Sequence, residues 1–108
     1  MRKNYRTATT EGSRMEKYRQ RIATARQLAI KYRWREIDHW PGQGKIRFRK
    51  GVDNILDYWY TTDTVGTIIS HRKVGRKQLF RKYIGRYLEK IFIDPRSHTG
   101  EGYYQKNE

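Results

Sequence analysis

Residues 72–90 (RKVGRKQLFRKYIGRYLEK) set eight lysines and arginines against one acid, which is +7 of a formal net charge of +14. Cations at that density repel one another until an anion binds, so the chemistry they serve is electrostatic capture of phosphate. Arg72, Lys73, Arg76 and Lys77 cluster about the short RKVGR loop, with His71 beside them. A basic tip of this kind fits a groove or straddles a nucleic-acid backbone. Arg81 and Lys82 continue the run. A second cationic set stands at 45–50 (KIRFRK), where strict alternation puts Lys45, Arg47 and Arg49 on the side opposite Ile46 and Phe48. A third is Arg19, Arg26 and Arg33, seven residues apart and so on nearly one side of a helix, where they would either track phosphates or form a solvated cationic face.

Aromatic residues are interleaved with these cations: 3 Trp, 9 Tyr and 3 Phe in 108 residues, with a pI near 10.3. That mixture is the composition of a nucleic-acid reader, in which cations neutralise phosphates and rings stack on bases at ~1–3 kcal/mol each. It also separates the chain from disordered basic proteins, which are poor in aromatic and β-branched residues. The length permits one domain with one modest core. Cysteine is absent, which excludes a disulfide scaffold and thiolate zinc sites and favours an intracellular setting, cytoplasmic or nuclear. No apolar stretch reaches the length of a membrane span.

The elements that must position these groups follow from periodicity. Residues 1–12 carry no periodic apolar signal and read as a mobile basic arm. Ser13-Arg14-Met15-Glu16 matches a capping box, and Met15, Tyr18, Ile22, Ala25, Ala29 and Tyr32, widened by Leu28, form an apolar stripe over a helix at 13–32. Residues 34–40 (WREIDHW) are ambiguous, and Pro41-Gly42 with Gly44 ends them. The period then changes to two: strands are expected at 45–50, 55–61, 64–71 and 77–82, joined by turns at 51–54, 62–63 and 72–76. Ile84, Tyr87, Leu88, Ile91 and Phe92 restore helical spacing over 83–92, and Asp94-Pro95 stops that helix. Residues 95–108 read as a polar tail, partly anchored by Tyr103 and Tyr104.

The expected fold is therefore α+β: an N-terminal helix, a four-stranded antiparallel meander and a C-terminal helix over 13–94, with both helices on one face of the sheet. The other face is left for binding. It carries Lys45, Arg47 and Arg49 and, depending on register, either Asp57 and Trp59 or Tyr58 and Tyr60. Trp59, Phe48 and Phe80 read as core, whereas Tyr58 and Tyr60 are candidates for stacking.

The function expected is that of a small basic nucleic-acid-binding protein, for DNA or RNA, acting as a monomer or weak dimer without cofactor or metal. The candidate contacts are Arg47, Arg49, Tyr58, Tyr60, Arg72, Lys73, Arg76, Lys77, Arg81, Lys82, Arg19, Arg26 and Arg33. A ribonucleoprotein component fits the same composition, as does a partner of an acidic protein. In the nuclease alternative, His71, Asp63, Arg47, Lys77 and Tyr60 converge on one phosphate as base, acid and cation. An N-terminal helix beside a basic antiparallel sheet resembles, loosely, the bacterial toxin endoribonucleases, though no motif matches them closely. The helix, strands, helix order resembles double-stranded RNA-binding domains, but those have three strands, and Arg81-Lys82-Tyr83 matches their basic helix start only loosely. His39, His71 and His98 are too scattered for a metal site.

Overall fold

A computed structural model describes residues 2–71, 75–82, 84–97 and 102–106, with the backbone alone at 2–11, 70–71, 75–78, 86 and 102–106. A long helix α1 (Arg2–Lys31) leads into β1 (Arg35–Trp40), β2 (Lys45–Lys50), β3 (Asn54–Trp59), β4 (Thr64–His71) and β5 (Gly75–Arg81). A 3-10 turn at Gly85–Tyr87 and a short helix α2 (Leu88–Ile93) follow, then β6 (Gly102–Lys106). The six strands form one antiparallel sheet in chain order, β1-β2-β3-β4-β5-β6. The four strands expected from alternation are β2 to β5, and the sheet gains one more at each edge.

Both added strands have a physical reason for escaping a periodicity search. In β1 the pairing with β2 shifts between Glu36 and Asp38, a bulge that breaks the two-residue alternation. β6 lies in the stretch read as a tail, and Tyr103 and Tyr104 pair there with Phe80 and Leu79 of β5. The first helix also begins earlier than its capping box suggests, at Arg2 rather than at Ser13. Proline is absent from 2–13, and Gly12 alone costs about 1 kcal/mol relative to alanine, too little to end a helix.

The C-terminal end of α1 is a Schellman turn: Trp34 N–H donates to Ala29 O at 2.7 Å and Arg33 N–H to Ile30 O at 3.3 Å, with Arg33 at φ 65°. This turn throws the chain back toward the sheet. Trp34 then anchors α2, its indole N–H donating to Phe92 O at 2.9 Å and its ring standing edge-on to Phe92.

Both helices cover one face of the sheet. Ala25 and Ala29 of α1 with Ile84, Leu88, Ile91 and Phe92 pack on Ile46, Phe48, Leu56, Tyr58 and Val65. Tyr18, Ile22, Leu28 and Tyr32 border that cluster as the apolar stripe requires, whereas Met15, farther along α1, is 49% exposed. The second helix is shorter than 83–92 because Gly85, at φ 46°, turns its N–H to Asp63 Oδ2 at 2.7 Å before helical geometry sets in at Leu88.

Candidate nucleic-acid interface

Register decides which side chains share the uncovered face. Ile46 pairs with Tyr58 and Phe48 with Leu56, so these point to the helices; Lys45 pairs with Trp59, Arg47 with Asp57 and Arg49 with Ile55, so these point away. The side bearing Asp57 and Trp59 is thus the open one. Tyr58 and Tyr60 are corrected to the covered side, where they are 2% and 5% exposed and cannot stack on a base. Tyr58 donates to Asp63 Oδ1 at 2.8 Å, and burial, with Asp63 second, pushes its pKa up. Tyr60 shares a 2.9 Å hydrogen bond with His39 Nε2.

Three cross-strand rows make up this face, and the one nearest the β2–β3 turn runs Arg35, Arg49, Ile55, Ile68 over β1 to β4, with both isoleucines buried. A second runs Trp40, Lys45, Trp59, Thr64 over β1 to β4; the third runs Asp38, Arg47, Asp57, Gly66, Phe80 over β1 to β5. The Lys45 ammonium lies 4.4 Å from the Trp40 ring centre and 5.3 Å from that of Trp59, and the Arg47 guanidinium lies 5.4 Å from Trp40. Trp59 and Phe80 have ring centres 5.8 Å apart. They close over Gly66, where a Cβ would stand 3.0 Å from Phe80 and 3.1 Å from Trp59, tighter than ordinary contact. Trp40, Trp59 and Phe80 are all half-buried.

Beneath these rings Asp57, 1% exposed, accepts from Arg47 Nε at 2.6 Å and Nη2 at 2.8 Å, with Lys45 Nζ at 4.0 Å. That bidentate contact raises the Arg47 pKa and locks its orientation. Arg49 Nε is buried and has no hydrogen-bond partner among the described residues. Arg35, Lys45, Arg47 and Arg49 against Asp38 and Asp57 leave this face a surplus of positive charge.

The remaining expected contacts fall elsewhere. Arg81 is corrected to the core: it is fully buried on the covered face and donates to Ser97 O, Pro95 O, Leu79 O and Thr67 Oγ1, stapling 95–97 to the sheet. Arg26 is tied to Glu36 by two hydrogen bonds, at 2.8 and 3.1 Å, the first cause of its raised pKa. Arg19 stands 3.6 Å from Glu16. Arg33 sits past the helix end in the Schellman turn, so the seven-residue line breaks at its third member. Lys82 is exposed just beyond β5. Arg72 and Lys73 lie outside the described residues, as do the side chains of His71, Arg76 and Lys77.

The nuclease constellation is not assembled by the backbone. His71 and Asp63 flank opposite ends of the eight-residue β4, which separates them by roughly 25 Å at ~3.3 Å per residue. Asp63 is also committed, since Oδ1 accepts from Tyr58 and Oδ2 from Gly85. Among the described residues no three acids or histidines lie close enough to hold a metal ion, and no helix is long and apolar enough to cross a membrane.

Trp59 and Phe80, expected in the core, and Trp40, in the ambiguous 34–40 stretch, all lie on the open face. For Trp40 a signal exists in the sequence: Pro41 to Gly44 is a turn, so the residues flanking it, Trp40 and Lys45, must pair. No family model, curated protein or solved structure matches this chain.

Proposed function

We propose that this protein binds nucleic acid on the open face of its sheet, with unpaired bases stacking on Trp40, Trp59 and Phe80 while Lys45, Arg47 and Arg49 hold the phosphates. The observation that carries this reading is Lys45 standing between two half-buried tryptophans on the face that no described helix covers. A flat array of rings and cations suits single strands, whose bases are free to stack, better than a duplex, whose bases already do. The net charge of +14 supplies long-range attraction.

The test is binding of labelled single- and double-stranded DNA and RNA at several salt concentrations, followed by anisotropy and by tryptophan fluorescence. Contact with about six phosphates gives a slope of log K against log salt near −4 for single strands. Trp40 and Trp59 report stacking by quenching, while buried Trp34 is silent. Trp40→Ala with Arg49→Ser should weaken binding ~30-fold and abolish most of the quench. Equal affinity for duplex and single strand without quenching would move the site to the basic 72–77 segment, which the change of Arg72, Lys73, Arg76 and Lys77 to Ser then checks.

A further inference from the structure

At the β3–β4 end of the sheet, α1 and the β3–β4 turn border a cleft of about 570 Å³. Arg14, Lys17 and Arg21 reach it from α1 at spacings of three and four, so they share one helix face, and Lys82 enters from the end of β5. The opposite wall carries the hydroxyls of Thr62 and Thr64, 3.0 Å apart. Tyr18 lines the floor, its ring edge-on to Tyr60.

The cleft contains one acid, Asp63, and its carboxylate is already used. Oδ1 accepts from the Tyr58 hydroxyl at 2.8 Å and Oδ2 from the Gly85 amide at 2.7 Å. Arg21 is held in place through Nη1, which donates to Tyr60 O at 2.7 Å and to Thr61 O at 3.5 Å, and its Nε and Nη2 have no partner among the described residues. Arg14, Lys17 and Lys82 have no acidic partner among the described residues. Four cations thus face a cleft whose single carboxylate is engaged, beside donors of hydroxyl type. The surplus exceeds what one carboxylate ligand neutralises and matches a phosphate dianion, which offers three strong acceptor oxygens. The volume lies within the range of small-molecule sites and exceeds what bare phosphate fills.

We infer that this cleft binds a phosphate monoester, either a free phosphorylated small molecule such as a mononucleotide or the terminal phosphate of a nucleic-acid strand. Of the open-face rows only Thr64 lines the cleft, and the inference does not depend on strands binding to that face.

Calorimetric titration of the full chain with pyrophosphate and with a nucleoside monophosphate, at constant ionic strength, tests it. Saturable one-site binding is expected, weakened at least ~10-fold by Arg14→Ser with Lys17→Ser, as the loss of charge-assisted hydrogen bonds requires. Both residues are exposed on α1, so the variant keeps the fold, which circular dichroism checks. Lys82→Ser, on a different element, should weaken binding as well, and Lys90→Ser, exposed on α2 and outside the cleft, should not. Oligonucleotides with and without a 5′-phosphate then separate the two sources: a preference for the phosphorylated end assigns a strand terminus, and none assigns the free ester. Heats that do not saturate, or binding unchanged in both cleft variants, would overturn the inference.

Discussion

Arg47 and Asp57 face each other across β2 and β3 on the open side of the sheet, joined by two hydrogen bonds of 2.6 and 2.8 Å, with the aspartate 1% exposed. The pair places a fixed guanidinium beside Trp40 and gives each oxygen of a buried carboxylate a hydrogen-bond donor. Arg47→Ala leaves that carboxylate with Lys45 alone, 4.0 Å away, and should destabilise the fold by about 3 kcal/mol. The double change Arg47→Ala with Asp57→Ala should cost less than the sum of the two single changes in urea denaturation. Additive single changes would show that the pair contributes no coupling.

Gly66 lets Trp59 and Phe80 meet. In Gly66→Ala the new methyl group stands about 3 Å from both rings, which must separate by a few tenths of an ångström. Overpacking of this size costs about 1 kcal/mol, so the midpoint of thermal unfolding should drop by several degrees and the near-ultraviolet circular dichroism of the ring pair should change. An unaltered spectrum would mean that the two rings do not depend on the gap.

Arg33 holds a left-handed conformation, at φ 65°, that glycine adopts without a Cβ penalty. Its hydrogen bonds at the helix end are made by the backbone alone, so Arg33→Gly should stabilise the protein by about 1 kcal/mol in the same urea assay. If α1 also supplied phosphate contacts through Arg33, that substitution would weaken nucleic-acid binding while raising stability.

Glu89 accepts from the Tyr32 hydroxyl at 2.6 Å and from Lys31 Nζ at 3.0 Å, and these two donors, in that order, hold its pKa below 4.5. A carboxyl pKa lowered by folding stabilises the native state above the unfolded value and loses that stabilisation as pH falls through the folded one. Wild type should therefore exceed Glu89→Gln in stability at neutral pH, and the gap should narrow as pH falls below the ordinary carboxylate range. The same contact raises the pKa of Tyr32, because the neutral hydroxyl donates to Glu89. A gap unchanged across this range would show that the three groups are not linked.

Much of this architecture is legible before folding. Alternation in KIRFRK placed Lys45, Arg47 and Arg49 together on one side of a strand, and the three- and four-residue spacing from Tyr18 to Tyr32 defined the buried stripe of α1. Those patterns are local, because a side chain's direction relative to its own backbone repeats every 2 or 3.6 residues. Trp40 was within reach too, as the partner of Lys45 across a turn rich in glycine.

Pairing between strands is not local, and it settled what periodicity left open. Within 55–61, alternation separates Asp57 and Trp59 from Tyr58 and Tyr60 equally well in either orientation, and only the register of β3 against β2 sends the tyrosines under the helices. Arg81 looks from its neighbours like one more phosphate ligand, yet it is buried because the chain after α2 brings carbonyls of Pro95 and Ser97 to its guanidinium. The sequence alone therefore determines that this chain is a basic α+β protein with cationic and aromatic faces. Which of those cations remain free for a ligand follows from long-range pairing, since Asp57, Glu36 and the carbonyls of 95–97 reach their arginines only when distant segments meet.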